Sequence, residues 1–285
     1  MTGLYEYSSV IVRAALAEDI GQGDMTTAAL VSGKAKGAAR INAKQDLVLA
    51  GLFVAEDVFR QLDKRSVFKA CFKDGDRVKK GEVLATVSGS IAALLSGERV
   101  ALNFLQRLSG IATLTKEFVR RTSGSPARIL DTRKTAPCLR MLDKYAVKAG
   151  GGHNHRFGLF DSILIKDNHA RVSGGVGEAI RKVNKRYKEG VPVEAEVADL
   201  KELREALSAG ADIIMLDNMA LPQIRKAMKM ISNTALVEAS GGVTLGNVRQ
   251  IAFAGVDFIS VGALTHSAPA ADISMELINA GKRKY

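Results

Sequence analysis

Val193 to Asp217 reads VEAEVADLKELREALSAGADIIMLD, and the changes of period inside it decide the architecture. A short apolar strand, Val193 to Val197, gives way to an apolar-periodic helix, Asp199 to Ala209. After the breaker Gly210, the run Asp212 to Asp217 reads as a second strand. Strand, helix and strand at this spacing make one βαβ unit, and its two strands lie parallel.

The unit recurs on both sides. Strands are expected at Ala127 to Asp131, Ser162 to Lys166, Ala235 to Ser240 and Asp257 to Gly262, with helices at Leu221 to Ile231 and Leu245 to Ala254. The polar residues then fall at carboxyl ends. Asp131 to Lys134 follow the first strand, Lys166 ends the second, Glu196 the third and Asp217 the fourth, while Ser240-Gly241-Gly242 and Val261-Gly262-Ala263 end the last two. In a closed β/α barrel those ends converge on one face and bind ligands there. An open doubly wound sheet binds only at its switch point and would use fewer strands. The pattern therefore predicts an α/β barrel smaller than the eight-unit form of about 250 residues.

Before residue 125 the pattern differs. Ser66 to Ser90 alternates apolar and polar residues around the turns Asp74-Gly75-Asp76 and Lys80-Gly81, a strand and hairpin signature. Ile91 to Arg121 reads as an amphipathic helix that should break near Ser109-Gly110. The acidic stretch Glu18 to Thr27 reads as a turn with Asp24 capping the next helix, rather than as a metal loop. This half is expected to be a small α+β domain.

With 285 residues, of which 47% are hydrophobic, the chain can bury one large core or a medium core plus a smaller domain. No run is long and apolar enough for a membrane span, and MTGLYEYSSV lacks a signal peptide's features, so a cytoplasmic protein is expected. Cys71 and Cys138 stand far apart without CxxC spacing and read as free thiols. The net charge of +11 could indicate nucleic acid, but aromatic residues make up only 5%, Trp is absent, and no basic run is interleaved with stacking aromatics. The basic tail Lys282, Arg283, Lys284 reads as a solvated end. A polyanionic small substrate accounts for the same excess by steering.

The chemistry concentrates between Asp131 and His169, where Arg133, Lys134, His155, Arg156 and Lys166 surround a run of three glycines. Arg forks match carboxylate and phosphate oxygens, Lys is a compact point charge, and glycine lets backbone N–H groups approach a ligand. Glu196 and Asp217 at the ends of apolar strands are costly unless paired with cations or a metal. Ser240-Gly241-Gly242, between a strand and a helix, is placed to give N–H groups to a phosphate, with Gly262 one strand later. Cys138 has no adjacent base to make it a nucleophile. His153-Asn154-His155 could be half of a zinc site with His169, His266 or Asp217. Against that, the neighbouring cations would repel a dication by roughly 4 kcal/mol per unit pair at 4 Å and intermediate dielectric, and an anion site suits the cluster better.

ERVALNFLQ (Glu98 to Gln106), DTRKTAPCLR, KYAVKAGGGHNHRFGLFDSILIKDNH, VEAEV, IIMLDNM, EASGG and VGALTHS occur in this order. From about Glu18 to Ser274 the chain resembles the quinolinate phosphoribosyltransferase family, also called carboxylating nicotinate-nucleotide pyrophosphorylases. The resemblance implies transfer of phosphoribose from phosphoribosyl pyrophosphate to quinolinate, with release of pyrophosphate and carbon dioxide, in NAD biosynthesis. It implies an incomplete α/β barrel over residues 113–267, an N-terminal α+β sandwich over 1–112, a C-terminal helix over 268–285 packing back on the N-terminal domain, and a homodimer or an assembly of dimers.

By motif, the quinolinate pocket falls on Arg133, His155, Arg156 and Lys166, with Arg99 reaching in from the partner subunit, and Thr132 is among the substrate-binding residues. Lys134 and Lys166 face the pyrophosphate. Glu196 and Asp217 match the holders of Mg²⁺ and the ribose hydroxyls, and Lys134, Lys166, Glu196 and Asp217 are the catalytic set. Ser240, Gly241, Gly242, Val261, Gly262 and Ala263 match the 5′-phosphate cradle. The departures are small: TAPCLR and IKDNH stand where TTPGLR and IKENH are commoner, so Cys138 replaces a glycine in the active loop. The competing expectations are a nicotinate-type phosphoribosyltransferase, a non-catalytic phosphate-binding relative, and an HxH metal-dependent hydrolase.

Overall fold

The computed structural model describes residues 2–187 and 190–278, so the basic tail at Lys282 to Lys284 lies outside the described residues. The chain folds as two compact units. One comprises Met1–Lys116, Thr135–Gly151 and Thr265–Tyr285, the other Glu117–Lys134 and Gly152–Leu264.

The first unit is built on an antiparallel sheet of β1 (Lys36–Ala43), β3 (Val67–Ala70), β5 (Val83–Ser90) and β12 (Ile273–Leu277), in the order β12-β1-β5-β3. β2 (Leu47–Val48) pairs instead with β4 (Arg77–Val78). The hairpin expected over Ser66 to Ser90 is therefore real but interrupted. β3 pairs with β5, and the chain between them leaves the sheet through Gly75 and Gly81, both at positive φ. Helices α1 (Thr2–Ile20), α2 (Met25–Leu30), α3 (Leu52–Leu62), α5 (Arg140–Ala149) and most of α4 (Ile91–Thr122) belong to this unit. Asp24 caps α2 as expected, its carboxylate accepting the Thr27 N–H at 2.9 Å.

Two expectations do not hold. The helix does not break near Ser109-Gly110: α4 runs unbroken from Ile91 to Thr122. Gly110 is there for close approach, since a Cβ at that position would lie 2.1 Å from the Pro269 carbonyl oxygen. Ser109 is turned inward, its hydroxyl accepting the Ala50 N–H and donating to the Ala50 carbonyl. Nor is 268–285 a helix in its described part. Ile273, Met275 and Leu277 alternate with Ser274 and Glu276, and the segment pairs antiparallel with β1 from Ala43↔Ile273 to Ala39↔Leu277.

The loop before α5 carries a second local finding. Cys138 sits at φ 60°, in the left-handed region that costs a residue with a Cβ about 1–2 kcal/mol. This is the position where the resemblance implies glycine, and the Tyr7 hydroxyl donates to the Cys138 carbonyl. Both cysteines are free and exposed.

The second unit is the α/β barrel. Six parallel strands, β6 (Arg128–Leu130), β7 (Ile163–Ile165), β8 (Val193–Val197), β9 (Ile213–Asp217), β10 (Leu236–Ser240) and β11 (Phe258–Ser260), lie in the order β6-β11-β10-β9-β8-β7. The first strand thus sits beside the last, as in a barrel, while β6 and β7 are not paired. The barrel is incomplete, with its seam between those two. The chain at His153 runs along the free edge of β6 and bridges Leu130 in parallel, which brings Asn154 to Arg156 to the seam.

Between the strands run α6 (Asp167–Ser173), α7 (Val176–Arg186), α8 (Leu200–Ser208), α9 (Leu221–Ile231) and α10 (Val248–Ala252), with α11 (Ala263–His266) after β11. Ile129, Ile180, Leu203, Ile214, Leu216, Val237 and Ile259 are buried in the core of this unit. Each such side chain removed from water contributes roughly 1.5–3 kcal/mol.

Candidate active site

Strand alternation places the acidic residues. Glu194 and Glu196 on β8 share one face, and Ala195 and Val197 take the other, fully buried. Register then aligns the ends: Glu196 pairs with Met215, and Asp217 with Ser240. Lys166, leaving β7, reaches across so that its Nζ lies 3.0 Å from Glu196 Oε2.

The turn after β10 is tightly specified. Asn218 adopts φ 52°, donates its backbone N–H to the Ser240 carbonyl at 2.9 Å, and donates its side-chain amide to Asp217 Oδ2 at 2.9 Å. Gly241, at φ 85°, packs so closely that a Cβ would lie 2.2 Å from Asn218 Oδ1. Gly242, at φ 58°, has nothing within 4 Å of where its Cβ would be, so a ligand can approach the backbone on that side. Asn247 braces the turn, accepting the Thr244 N–H at 2.8 Å and donating to the Gly242 carbonyl at 2.9 Å.

The cations come from the other edge of the barrel. Asp131, fully buried just after β6, accepts the His155 N–H at 2.9 Å and the Asn154 side-chain amide. Thr132 Oγ1 accepts the Lys134 N–H at 3.0 Å. Arg156 donates through Nη1 to the Ser162 carbonyl at 3.2 Å. Burial first, and then the Arg133 charge, pull the Arg156 pKa below its usual value, with Glu194 and Asp161 partly opposing. A guanidinium disfavoured by burial and by a second positive charge is one that an anion stabilises. Arg99 is exposed on α4, in the first unit.

Beneath these groups lies a cluster that the sequence reasoning missed. Glu194 and Glu238 are 3% and 2% exposed, and their Oε2 atoms lie 3.2 and 3.6 Å from His155 Nε2. Their other carboxylate oxygens are buried and without a hydrogen-bond partner among the described residues. Burial, then the neighbouring Glu194, raise the Glu238 pKa from 4.5 to about 8. The signal was present: Glu238 shares strand parity with Ser240, as Glu194 does with Glu196, so each charged residue faces the functional side of a buried strand.

The HxH pair does not converge. His153 serves through its backbone, its N–H going to the Ile129 carbonyl, while His169 Nδ1 accepts the Lys166 N–H at 3.0 Å. Among the described residues, the group of His and acidic side chains close enough to share an ion is His155, Glu194 and Glu238.

Comparison with known proteins matches residues 24–109 to the N-terminal domain of quinolinate phosphoribosyl transferase and residues 111–276 to its C-terminal domain. The chain is 47% identical over 260 residues to a probable carboxylating nicotinate-nucleotide pyrophosphorylase of Bacillus subtilis, covering 91% of this chain and 90% of that one. It is 43% identical to the chloroplastic carboxylating nicotinate-nucleotide pyrophosphorylase of Arabidopsis thaliana, covering 94% and 82%. Among solved structures, the nicotinate-nucleotide pyrophosphorylase of Francisella tularensis superimposes with a TM-score of 0.90 at 38% identity, covering 96% and 97%. That of Ehrlichia chaffeensis superimposes at 0.91 and 39%, covering 95% and 98%. A human nicotinic acid phosphoribosyltransferase shares the fold, with a TM-score of 0.63 at 12% identity.

Proposed function

We infer how the site works from the premise that this chain belongs to the quinolinate phosphoribosyltransferase family. It is a pentosyltransferase of NAD biosynthesis that converts quinolinate and phosphoribosyl pyrophosphate to nicotinate mononucleotide, pyrophosphate and carbon dioxide. The assignment of residues is our proposal. Quinolinate lies among Thr132, Arg133, His155, Arg156 and Lys166, with the partner subunit's Arg99 completing the pocket of a homodimer or an assembly of dimers. Lys134 and Lys166 face the pyrophosphate. Ser240 to Gly242 and Val261 to Ala263 cradle the 5′-phosphate, and the enzyme works in the cytoplasm.

Charge supports this reading. Quinolinate is a dianion and the co-substrate carries several negative charges, so one pocket needs several fixed cations to hold both. The observation that carries the assignment is the row of carboxyl strand ends at which Lys166 Nζ meets Glu196 Oε2 at 3.0 Å and Asp217 pairs in register with Ser240 beside the open face of Gly242, with Arg156 braced on the Ser162 carbonyl near the seam. Glu196 and Asp217 offer hard carboxylate oxygens, a donor set suited to Mg²⁺ shared with phosphate oxygens. Bound there, the ion would neutralise charge developing on the leaving pyrophosphate.

The side chains do the rest. As the bond from ribose to pyrophosphate breaks, the sugar gains oxocarbenium-like positive charge, which Glu196 and Asp217 stabilise while Lys134 meets the departing anion. Arg133 and Arg156 hold the acid so that its ring nitrogen faces the sugar carbon. Once ribosylated, that nitrogen is cationic and stabilises the carbanion left when the 2-carboxylate departs. The protein then needs chiefly to orient the ring and to desolvate that carboxylate.

The purified protein incubated with phosphoribosyl pyrophosphate, Mg²⁺ and either quinolinate or nicotinate tests this. Carbon dioxide release with quinolinate and no turnover of nicotinate is the expected result. Turnover of nicotinate would select a monocarboxylate enzyme, silence with both a binding protein, and stoichiometric zinc in the sample a metallohydrolase.

A further inference from the structure

We propose that Glu194 and Glu238 are positioning residues of the active site, acting through the His155 ring to fix Arg156 toward the anionic substrate. The inference rests on the assignment of Arg156 to quinolinate. Both ring nitrogens of His155 face protein partners. Nδ1 accepts the Arg156 backbone N–H at 2.8 Å, so it carries no proton. The ring proton therefore sits on Nε2, the atom that faces Glu194 Oε2 at 3.2 Å and Glu238 Oε2 at 3.6 Å. One edge of the imidazole donates to the carboxylates, and the other accepts from the next residue's backbone.

The consequence for Arg156 is mechanical. Its N–H is anchored on a ring that cannot rotate or change tautomer without losing the acceptors at Nε2. The preceding N–H, of His155 itself, is anchored on the fully buried Asp131, and the guanidinium is braced on the Ser162 carbonyl. Without the glutamates the ring is free to take its other tautomer. An Nδ1–H would then confront the Arg156 N–H, donor against donor, and the arginine backbone would shift.

The same geometry separates this reading from a buried metal site. The cluster has the residue types of a metal site, but a ring that carries its proton on Nε2 has no lone pair to offer an ion there. The two glutamates come from β8 and β10, the strands flanking β9 and its Asp217, so the cluster also ties the seam of the barrel to its acidic rim.

The test combines nitrogen-15 spectra of the histidine-labelled enzyme with calorimetric binding of quinolinate and of phosphoribosyl pyrophosphate. The His155 signal is identified by its disappearance in His155→Gln. The wild-type ring is expected as the Nε2–H tautomer, with or without substrate. In the pair Glu194→Leu/Glu238→Leu, which leaves Nε2 facing no acceptor from either strand, quinolinate binding is expected to weaken at least about tenfold while phosphoribosyl pyrophosphate binding changes less than about twofold, the lower end of the loss seen when a partner that orients a ligand-holding histidine is removed. An Nδ1–H tautomer in the wild type overturns the inference even if the paired variant fails to fold. Unchanged quinolinate binding in a folded pair, alongside its loss in Arg156→Ala, overturns the inference alone. Unimpaired quinolinate binding by Arg156→Ala overturns the assignment beneath it.

Discussion

Replacing Gly241 by alanine puts a methyl group 2.2 Å from Asn218 Oδ1 and 2.4 Å from its Cγ, on a backbone at φ 85°. Two separable effects follow. The left-handed conformation destabilises the folded state by about 1–2 kcal/mol, a fall of a few degrees in melting temperature for a chain of this size. The contact is too short to persist, so the Asn218 side chain must leave Asp217 Oδ2, to which it donates at 2.9 Å. A hydrogen bond to a carboxylate contributes about 1.5–3 kcal/mol, and with Asn218 exposed the lower figure applies. That figure corresponds to a loss of about tenfold in kcat/KM for phosphoribosyl pyrophosphate, because Asp217 is no longer held in place.

Steady-state kinetics and thermal melting distinguish the two effects. Asn218→Ala should reproduce the kinetic loss with less change in melting temperature. Adding Gly241→Ala to it should lower the melting temperature, and the two kinetic losses should combine to less than their product, since the group the methyl displaces is already gone and only its effect on the phosphate cradle remains. Wild-type kinetics in Gly241→Ala, or kinetic losses that multiply in the double variant, would refute the link from turn to carboxylate.

Arg156→Ala should weaken quinolinate binding strongly and leave phosphoribosyl pyrophosphate binding nearly intact; equal loss of both in calorimetry would undo the division of the pocket. Arg99→Ala and Lys166→Ala should each be inactive alone, yet recover some activity when mixed under conditions of subunit exchange, and confirmed exchange without recovery would place Arg99 in its own subunit's site. Because the Glu238 pKa is raised on folding, the folded state binds that proton more tightly than the unfolded chain. Its contribution to stability is complete below about 4.5 and is lost as pH rises through about 8. The wild type should lose melting temperature relative to Glu238→Gln across that window, and parallel curves would count against it. Gly110→Ala, which forces a methyl to 2.1 Å from the Pro269 carbonyl, should lower the melting temperature by more than Gly241→Ala does; equal or smaller loss would mean that the helix shifts freely.

The barrel was legible because its strands are short apolar runs separated by amphipathic helices. The strand over Val193–Val197 and the helix over Leu221–Ile231 match their predicted limits, and the other strands end within two residues of theirs. The carboxyl-end rule then placed Lys166, Glu196, Asp217 and the Ser240 turn along neighbouring strand ends. Local pattern failed where the deciding partner was distant in sequence. Gly110 looked like a helix breaker because the Pro269 backbone it accommodates lies far along the chain. The alternation at Ile273 to Leu277 was outweighed by an expected terminal helix, although a two-residue period was there to be read. Glu238 escaped notice because a carboxylate inside a buried strand makes sense only once His155 is seen to reach it from the seam.

The pairing of β12 with β1 has a consequence for biosynthesis. β1 is complete at Ala43, yet the neighbour that covers its outer edge begins only at Ile273, after the barrel has been translated. A nascent polypeptide therefore carries a bare row of backbone donors and acceptors on that edge, a template for wrong pairing. The boundary between the two family matches, near residue 110, assigns that covering strand to the other fragment. Recombinant pieces cut there would come off the ribosome with the edge of β1 permanently uncovered, and precipitation of the N-terminal piece is the outcome to expect.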